Sequence, residues 1–215
     1  MILYNFAYNN TWSLFDELEL FGHFNFVFTF FVMEAEYIQH RIQLFEALKA
    51  KADVEIAAHP RESITVTMPD GRLIAATSWE TTPLSIAVTI SKSLAERIVI
   101  AKVDGALFDL TRPLESSCAL QFLDFEHEEG KRVFWHSSAH VLGEACELNY
   151  GCHLCIGPPI EEGFYYEMAT EKPVLETDYE SLNILVKKAV TEKQLFQRLV
   201  ITKPDLLEMF KVHDY

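Results

Sequence analysis

The sequence predicts an α+β protein made of two successive small units, and three observations carry that prediction. Residues 64–125 read as short strands interrupted by one helical stretch, the turns between them are chemically explicit, and residues 130–150 read as a helix that opens a second set of elements. In the first unit, Ile64-Thr65-Val66-Thr67-Met68 alternates apolar and polar side chains, Pro69-Asp70-Gly71 supplies a hairpin turn, and residues 72–77 return. Thr82 precedes Pro83 as an N-cap precedes the first helical residue, and Ile86, Ile90 and Leu94 mark the buried stripe of that helix. Strands at 98–103, 106–110 and 119–125 complete the unit, with Asp104-Gly105 as a tight turn. Hairpin, helix and further strands in that order are the layout of a β-grasp domain.

Upstream, Ile38, Ile42, Phe45 and Leu48 recur on one stripe between residue 33 and about residue 51, which predicts an N-terminal helix within 33–58. Pro60 places a linker at 57–62. Residues 1–32 differ from everything after them, holding no Lys or Arg and eight of the 16 phenylalanines. Phe24, Phe26, Phe28 and Phe30 alternate with Asn25, Val27 and Thr29 at strand period. The apolar run 20–32 contains His23 and is too short to span a bilayer, and Asp16, Glu17 and Glu19 stand where a signal peptide needs positive charge. Met33 follows at once, so 1–32 is expected to be a leader outside the fold, with a genuine N-terminal hairpin as the alternative.

With 49% hydrophobic and 13% aromatic residues, the 215-residue chain has a globular composition, and no membrane association is expected. A net charge of −14 argues against broad, sequence-independent nucleic-acid binding, which needs clustered Lys and Arg. Lys131 with Arg132, or Lys187 with Lys188, could form a local basic strip touching RNA, although such a pair is more often an ordinary solvated face.

The second unit turns on Phe134-Trp135-His136-Ser137-Ser138-Ala139-His140. Imidazoles at i and i+4 project from one helix face and can converge on one water, hydroxyl or ion. No Glu follows His136, so the zinc-protease pattern is absent, and spacing alone leaves open a pair of satisfied or solvent-facing histidines. Gly157-Pro158-Pro159 makes a stiff turn before a strand at 164–168. A long helix is expected from Thr177 or Asp178 to near Phe196, with Leu182, Leu185, Val186, Ala189 and Val190 as its apolar face, and Thr202 caps a short helix with Asp205 three residues on. Cys152-His153-Leu154-Cys155 invites a zinc reading, but no second Cys pair completes four ligands, so no metal site is assigned; His140, His153 and Cys146 could be recruited, a structural role is the nearer reading for each, and reduced thiols are expected.

Met68-Pro69-Asp70-Gly71, Ser78-Trp79-Glu80-Thr81-Thr82-Pro83, Ile100-Ala101-Lys102-Val103, Trp135-His136-Ser137-Ser138-Ala139-His140, Cys155-Ile156-Gly157-Pro158-Pro159 and Gly163-Phe164-Tyr165-Tyr166 together resemble the N-terminal part of eukaryotic cytoplasmic threonyl-tRNA synthetases. The resemblance implies a TGS β-grasp domain at 62–126 and, at 127–215, an incomplete editing domain, the family's second additional domain. It carries over His136 and His140 as catalytic residues hydrolysing mischarged Ser-tRNA(Thr), and Tyr166 as part of the substrate pocket. Neutral imidazoles can relay the protons of ester hydrolysis, and exclusion of one methyl group would separate serine from threonine. His136 and His140 are accordingly expected to face the 164–168 strand, with Tyr166 beside them. The family's later Cys-Arg-Gly-Pro-His-type segment does not occur in these 215 residues, nor does the synthetase core that binds ATP and zinc, so no cofactor is expected in this chain. The implied partner is tRNA(Thr), held weakly or in part, and the implied location is cytoplasmic; full-length members are homodimers. Three readings follow: part of a threonine-tRNA ligase, a non-catalytic module binding tRNA or a synthetase, and a free-standing deacylase acting in trans.

Overall fold

The computed structural model describes residues 2–6 and 36–211. The phenylalanine alternation at 24–30 and the Met33 start lie outside the described residues. Strand β1 (Ile2–Phe6) comes first, then helix α1 (Glu36–Ala58). Ile38 and Phe45, two helical turns apart, are buried on α1, and Ile42 and Leu48 are half-buried. The helix also takes in Ala57 and Ala58, which the sequence placed in the linker. Alanine extends a helix without side-chain entropy cost, and the break falls at His59, where the following Pro60 disfavours helical geometry.

β2 (Ser63–Thr67) and β3 (Leu73–Thr77) form the expected hairpin, in register from Ser63↔Thr77 to Thr67↔Leu73. Gly71 turns it at φ 83°, a conformation that side chains resist, and the Asp70 carboxylate accepts from the Arg72 backbone N–H at 3.0 Å and its Nε–H at 2.6 Å. Helix α2 (Pro83–Ile90) starts with a reciprocal cap: the Thr82 hydroxyl accepts from Ser85 N–H, and Ser85 Oγ accepts from Thr82 N–H, each at 3.1 Å. The single helix read through Leu94 is in fact two. Ser91 is extended, ends α2, and caps α3 (Lys92–Arg97) with its own hydroxyl, because serine competes for backbone groups inside a helix.

β4 (Ile98–Val103) and β5 (Ala106–Phe108) are joined by Asp104-Gly105 at φ 50° and 83°, both positive as a two-residue type I′ turn requires. β6 (Cys118–Asp124) completes a five-stranded sheet of order β3-β2-β6-β4-β5. β2 and β6 run parallel, and the other neighbours are antiparallel. Val66, Ile86, Ala101, Leu114 and Leu120 form the centre of its core. Helices on one mixed sheet with a parallel central pair make the β-grasp architecture that the turn chemistry predicts.

Helix α4 (Glu128–Tyr150) follows, its N-terminus capped by His127 Nδ1, which accepts from Glu129 N–H at 3.3 Å. Gly151 ends it in the left-handed region at φ 60°. Its first turn presses on the sheet: a Cβ built on Gly130 would sit 2.0 Å from the Asp124 carbonyl oxygen. Lys102 on β4 reaches across to Glu129, Nζ to Oε2 2.7 Å.

β7 (His153–Ile156), β8 (Pro159–Ile160), β9 (Gly163–Phe164) and β10 (Glu167–Ala169) come next. β7 pairs with β10 and β8 with β9, both antiparallel, so the single strand expected at 164–168 is split at Tyr165-Tyr166. A 3-10 turn (Glu176–Asp178) leads into α5 (Tyr179–Thr191). Leu182 and Ala189 on α5 are buried, whereas Val190 is 64% exposed. α5 stops at Thr191 instead of near Phe196, because Phe196–Val200 is strand β11, paired antiparallel with β1 from Ile2↔Val200 to Phe6↔Phe196. β1 thus lies within the 1–32 stretch. Thr202 caps α6 (Lys203–Met209) as expected, its hydroxyl accepting from Asp205 N–H at 3.3 Å.

The chain forms two compact units, one up to Ala50 together with Lys187 onward, the other Lys51–Val186. In the first, His40 Nε2 lies 2.9 Å from the Glu208 carbonyl oxygen, and the Arg41 guanidinium sits over the rings of Tyr37 and Phe210. The second holds the β-grasp sheet, α4 and the small strands after it. Among the described residues, no helix is long and apolar enough to cross a membrane.

Candidate functional site

α4 supplies one face on which residues 136, 140, 143 and 147 succeed one another at helical spacing. His136 Nε2 and His140 Nε2 are 3.2 Å apart, with ring centroids at 4.8 Å and planes tilted by 35°. In the neutral pair, one ring nitrogen donates its N–H and the other accepts. His136 is exposed and His140 half-buried. Burial, and then the charge of His136, hold the His140 pKa below the usual histidine value, so its neutral form is favoured. Behind the pair, Ala139 is fully buried, and Ser138 Oγ donates back to the Phe134 carbonyl at 2.9 Å, facing its own helix.

Tyr166 lies against the same helix one turn beyond His140. A Cβ on Gly143 would come within 2.7 Å of Cε2 and Cζ of the Tyr166 ring and 3.0 Å of its hydroxyl, and a Cβ on Gly157 within 2.4 Å of Cε2. The ring therefore occupies a slot that exists because both residues lack side chains. Burial, and next the Glu147 carboxylate, push the Tyr166 phenol above its usual pKa, so it stays un-ionised. Glu147 is itself buried, one turn after Gly143. The neighbouring hairpin is held on α4 by the Trp135 and Phe164 rings at 6.1 Å and by Lys131 Nζ to Glu162 Oε1 at 2.5 Å. Phe125 meets both Phe134 and Trp135 edge-on, at 5.1 and 5.7 Å.

The structure thus brings His136 and His140 into contact and places Tyr166 on the same helix face. Gly143 and Glu147 escaped the sequence reading, and Gly157 entered it only as part of the turn before the 164–168 strand. A glycine inside a strongly helical run was the available signal, since it costs about 1 kcal/mol against alanine unless close packing requires it.

The cysteines take other places. Cys146 and Cys152 sit in a small core with Ala145 and Leu182, and burial pushes the Cys152 thiol up to about 11. Cys155 is exposed on β7, whereas Cys152 is buried. Among the described residues, no group of three or more His, Cys, Asp or Glu is placed to hold a metal ion. Of the basic pairs, Lys131 is bridged to Glu162, and Lys188 Nζ lies 3.8 Å from Glu192.

Residues 64–124 match the family model of the TGS domain. The chain is 53% identical over 180 residues to "Threonine--tRNA ligase, cytoplasmic" of Caenorhabditis elegans, an alignment covering 83% of this chain and 25% of that protein. It is 46% identical over 197 residues to "Threonine--tRNA ligase, cytoplasmic" of Saccharomyces cerevisiae, covering 85% of this chain and 27% of that protein. It is 50% identical over 184 residues to "Threonine--tRNA ligase 1, cytoplasmic" of Homo sapiens, covering 84% and 25% respectively. The chain therefore spans about a quarter of the length of the curated relatives it matches.

Proposed function

We propose that this chain, a TGS-bearing homologue of cytoplasmic threonine-tRNA ligases across most of its own length, contributes the two-histidine half of a site that hydrolyses the seryl ester of mischarged tRNA(Thr) in the cytoplasm. The observation that carries the proposal is the 3.2 Å contact between His136 Nε2 and His140 Nε2 on a helix face shared with Tyr166. Ligation of threonine to tRNA, the activity in the relatives' names, would belong to the longer protein, with ATP and zinc held by its synthetase core.

Hydrolysis of an aminoacyl ester needs a base for water and an acid for the departing ribose oxygen. A neutral imidazole accepts the water proton as the new C–O bond forms. The second imidazole, in contact with the first, can return a proton to the ribose oxygen as the ester bond breaks, leaving free serine and a ribose hydroxyl. The lowered pKa of His140 suits it to the base, and the exposed His136 suits the proton donor and relay. Two imidazoles leave a bound metal two protein ligands short of a closed tetrahedral site, so no tight zinc binding is proposed here.

The test is a histidine-detected NMR titration of the 215-residue chain with a non-hydrolysable amide analogue of seryl-adenosine. Shifts of the His136 and His140 resonances, absent in His140→Ala and weaker with the threonyl analogue, are expected. An analogue that leaves both resonances unmoved would refute the reading. Direct assay on Ser-tRNA(Thr) should show little or no turnover by this chain; robust turnover abolished by His140→Ala would make it a self-sufficient deacylase.

A further inference from the structure

We propose that Gly143 and Gly157 are positioning residues of the candidate site, acting through Tyr166: together they form a slot that fixes the phenol ring so that its hydroxyl serves as a hydrogen-bond donor to an oxygen of the bound aminoacyl group. The inference rests on the editing reading and goes beyond it, since neither glycine has a side chain that could touch a substrate.

Four observations support it. The ring approaches both glycines more closely than any Cβ would allow, at 2.7 Å on the α4 side and 2.4 Å on the turn side. Neither glycine has a positive φ, so backbone conformation does not demand glycine at 143 or 157, and space for the ring does. Gly143 stands inside α4, where alanine would be the better helix former. Finally, the Tyr166 hydroxyl makes no hydrogen bond to any described residue, and burial beside the Glu147 carboxylate keeps it protonated. A rigid ring with an uncommitted O–H, one turn from His140, is a preorganised donor, and preorganisation of this kind needs walls that cannot yield.

Glycine replaced by alanine at either position would tilt the ring or lift it from the helix, and a displacement of this size is enough to misdirect a hydrogen bond. The chemistry of the ligand atom follows from the donor. An un-ionised phenol flanked by a carboxylate favours a neutral acceptor, such as an ester carbonyl or an aminoacyl hydroxyl, over an anionic one.

The experiment measures affinity of the full chain for the amide analogue of seryl-adenosine in Tyr166→Phe, Gly143→Ala, Gly157→Ala and the two Phe/Ala double variants. Phe keeps the ring and removes only the hydroxyl, and an affinity loss of about 3- to 10-fold is expected for one neutral hydrogen bond. Each Ala variant should lose at least as much. In the Phe background, the same Ala substitutions should cost little further affinity, a non-additivity that a purely structural role would not produce. Circular dichroism and melting establish that each variant is folded, and Tyr166→Phe carries the test if an Ala variant is not. Unchanged affinity in Tyr166→Phe, or full additivity in the doubles, overturns the inference and leaves the editing reading standing. Absence of analogue binding by the wild-type chain overturns both.

Discussion

Gly130→Ala probes the contact on which the orientation of α4 depends. The added methyl would sit 2.0 Å from the Asp124 carbonyl oxygen, a backbone atom of β6 that cannot rotate away. Ordinary contact at a Cβ begins at 3.4 Å, so helix or strand must retreat by roughly 1.4 Å. Overpacking of this kind costs about 1–3 kcal/mol and sometimes more. The substitution also replaces a helical glycine with the best helix former, a gain of about 1 kcal/mol if nothing were in the way. A backbone clash this close puts the overpacking cost near the top of its range, about 3 kcal/mol, so after the propensity gain a net loss of about 2 kcal/mol is expected. For a unit of this size, that corresponds to a fall in melting temperature of about 4–8 °C. Urea denaturation gives the free energy from the midpoint at constant slope, with Arg132→Ala, an exposed substitution two residues on, as the near-neutral control. A Gly130→Ala chain as stable as wild type, or more stable by the propensity increment, would refute the close docking of α4 on the sheet.

Two further outcomes follow from the described contacts. His140 has a folded-state pKa below its unfolded value near 6.5, so between those values the unfolded chain binds more protons, and stability should rise with pH through that window. Urea midpoints from pH 5 to 8 should therefore climb less steeply in His140→Gln than in wild type, and equal slopes would contradict the burial of a neutral imidazole. Removing residues 1–32 deletes β1 and its pairing with β11, yet a two-stranded ribbon is marginal in water, and the phenylalanine-rich stretch favours aggregation. A chain beginning at Met33 should melt within about 2 °C of the full chain and scatter less light, whereas a larger fall would make the stretch structural.

What the sequence revealed and what it withheld divide along a physical line. The β-grasp unit was legible because its signals are local: Gly71 and Gly105 in turns, Thr82 before Pro83, and alternation along Ile64, Val66 and Met68. The histidine contact was legible for the same reason, since i and i+4 meet on any helix. β11 was missed because its partner β1 lies at the opposite end of the sequence, and no window around Phe196 contains that information. The strand read at 164–168 failed at Tyr165-Tyr166, where alternation gives way to the demand of a slot whose walls, Gly143 and Gly157, are distant in sequence. Ser91 shows the reverse case: the break was local and readable as a capping serine, but the continuing stripe to Leu94 masked it.

The strand order of the β-grasp sheet has a consequence for the order of assembly. The hairpin of β2 and β3 and the hairpin of β4 and β5 share no edge, and only β6, the last of the sheet's five strands in sequence, joins them. During synthesis the two hairpins emerge as separate ribbons, each with too little apolar burial to persist alone. The sheet closes when β6 inserts between β2 and β4, a step that brings residues about fifty positions apart into parallel pairing and bears the loop-closure cost at once. The residue at the end of that strand, Asp124, presents the carbonyl against which Gly130 docks. The histidine helix therefore acquires its platform only when the keystone strand has been set.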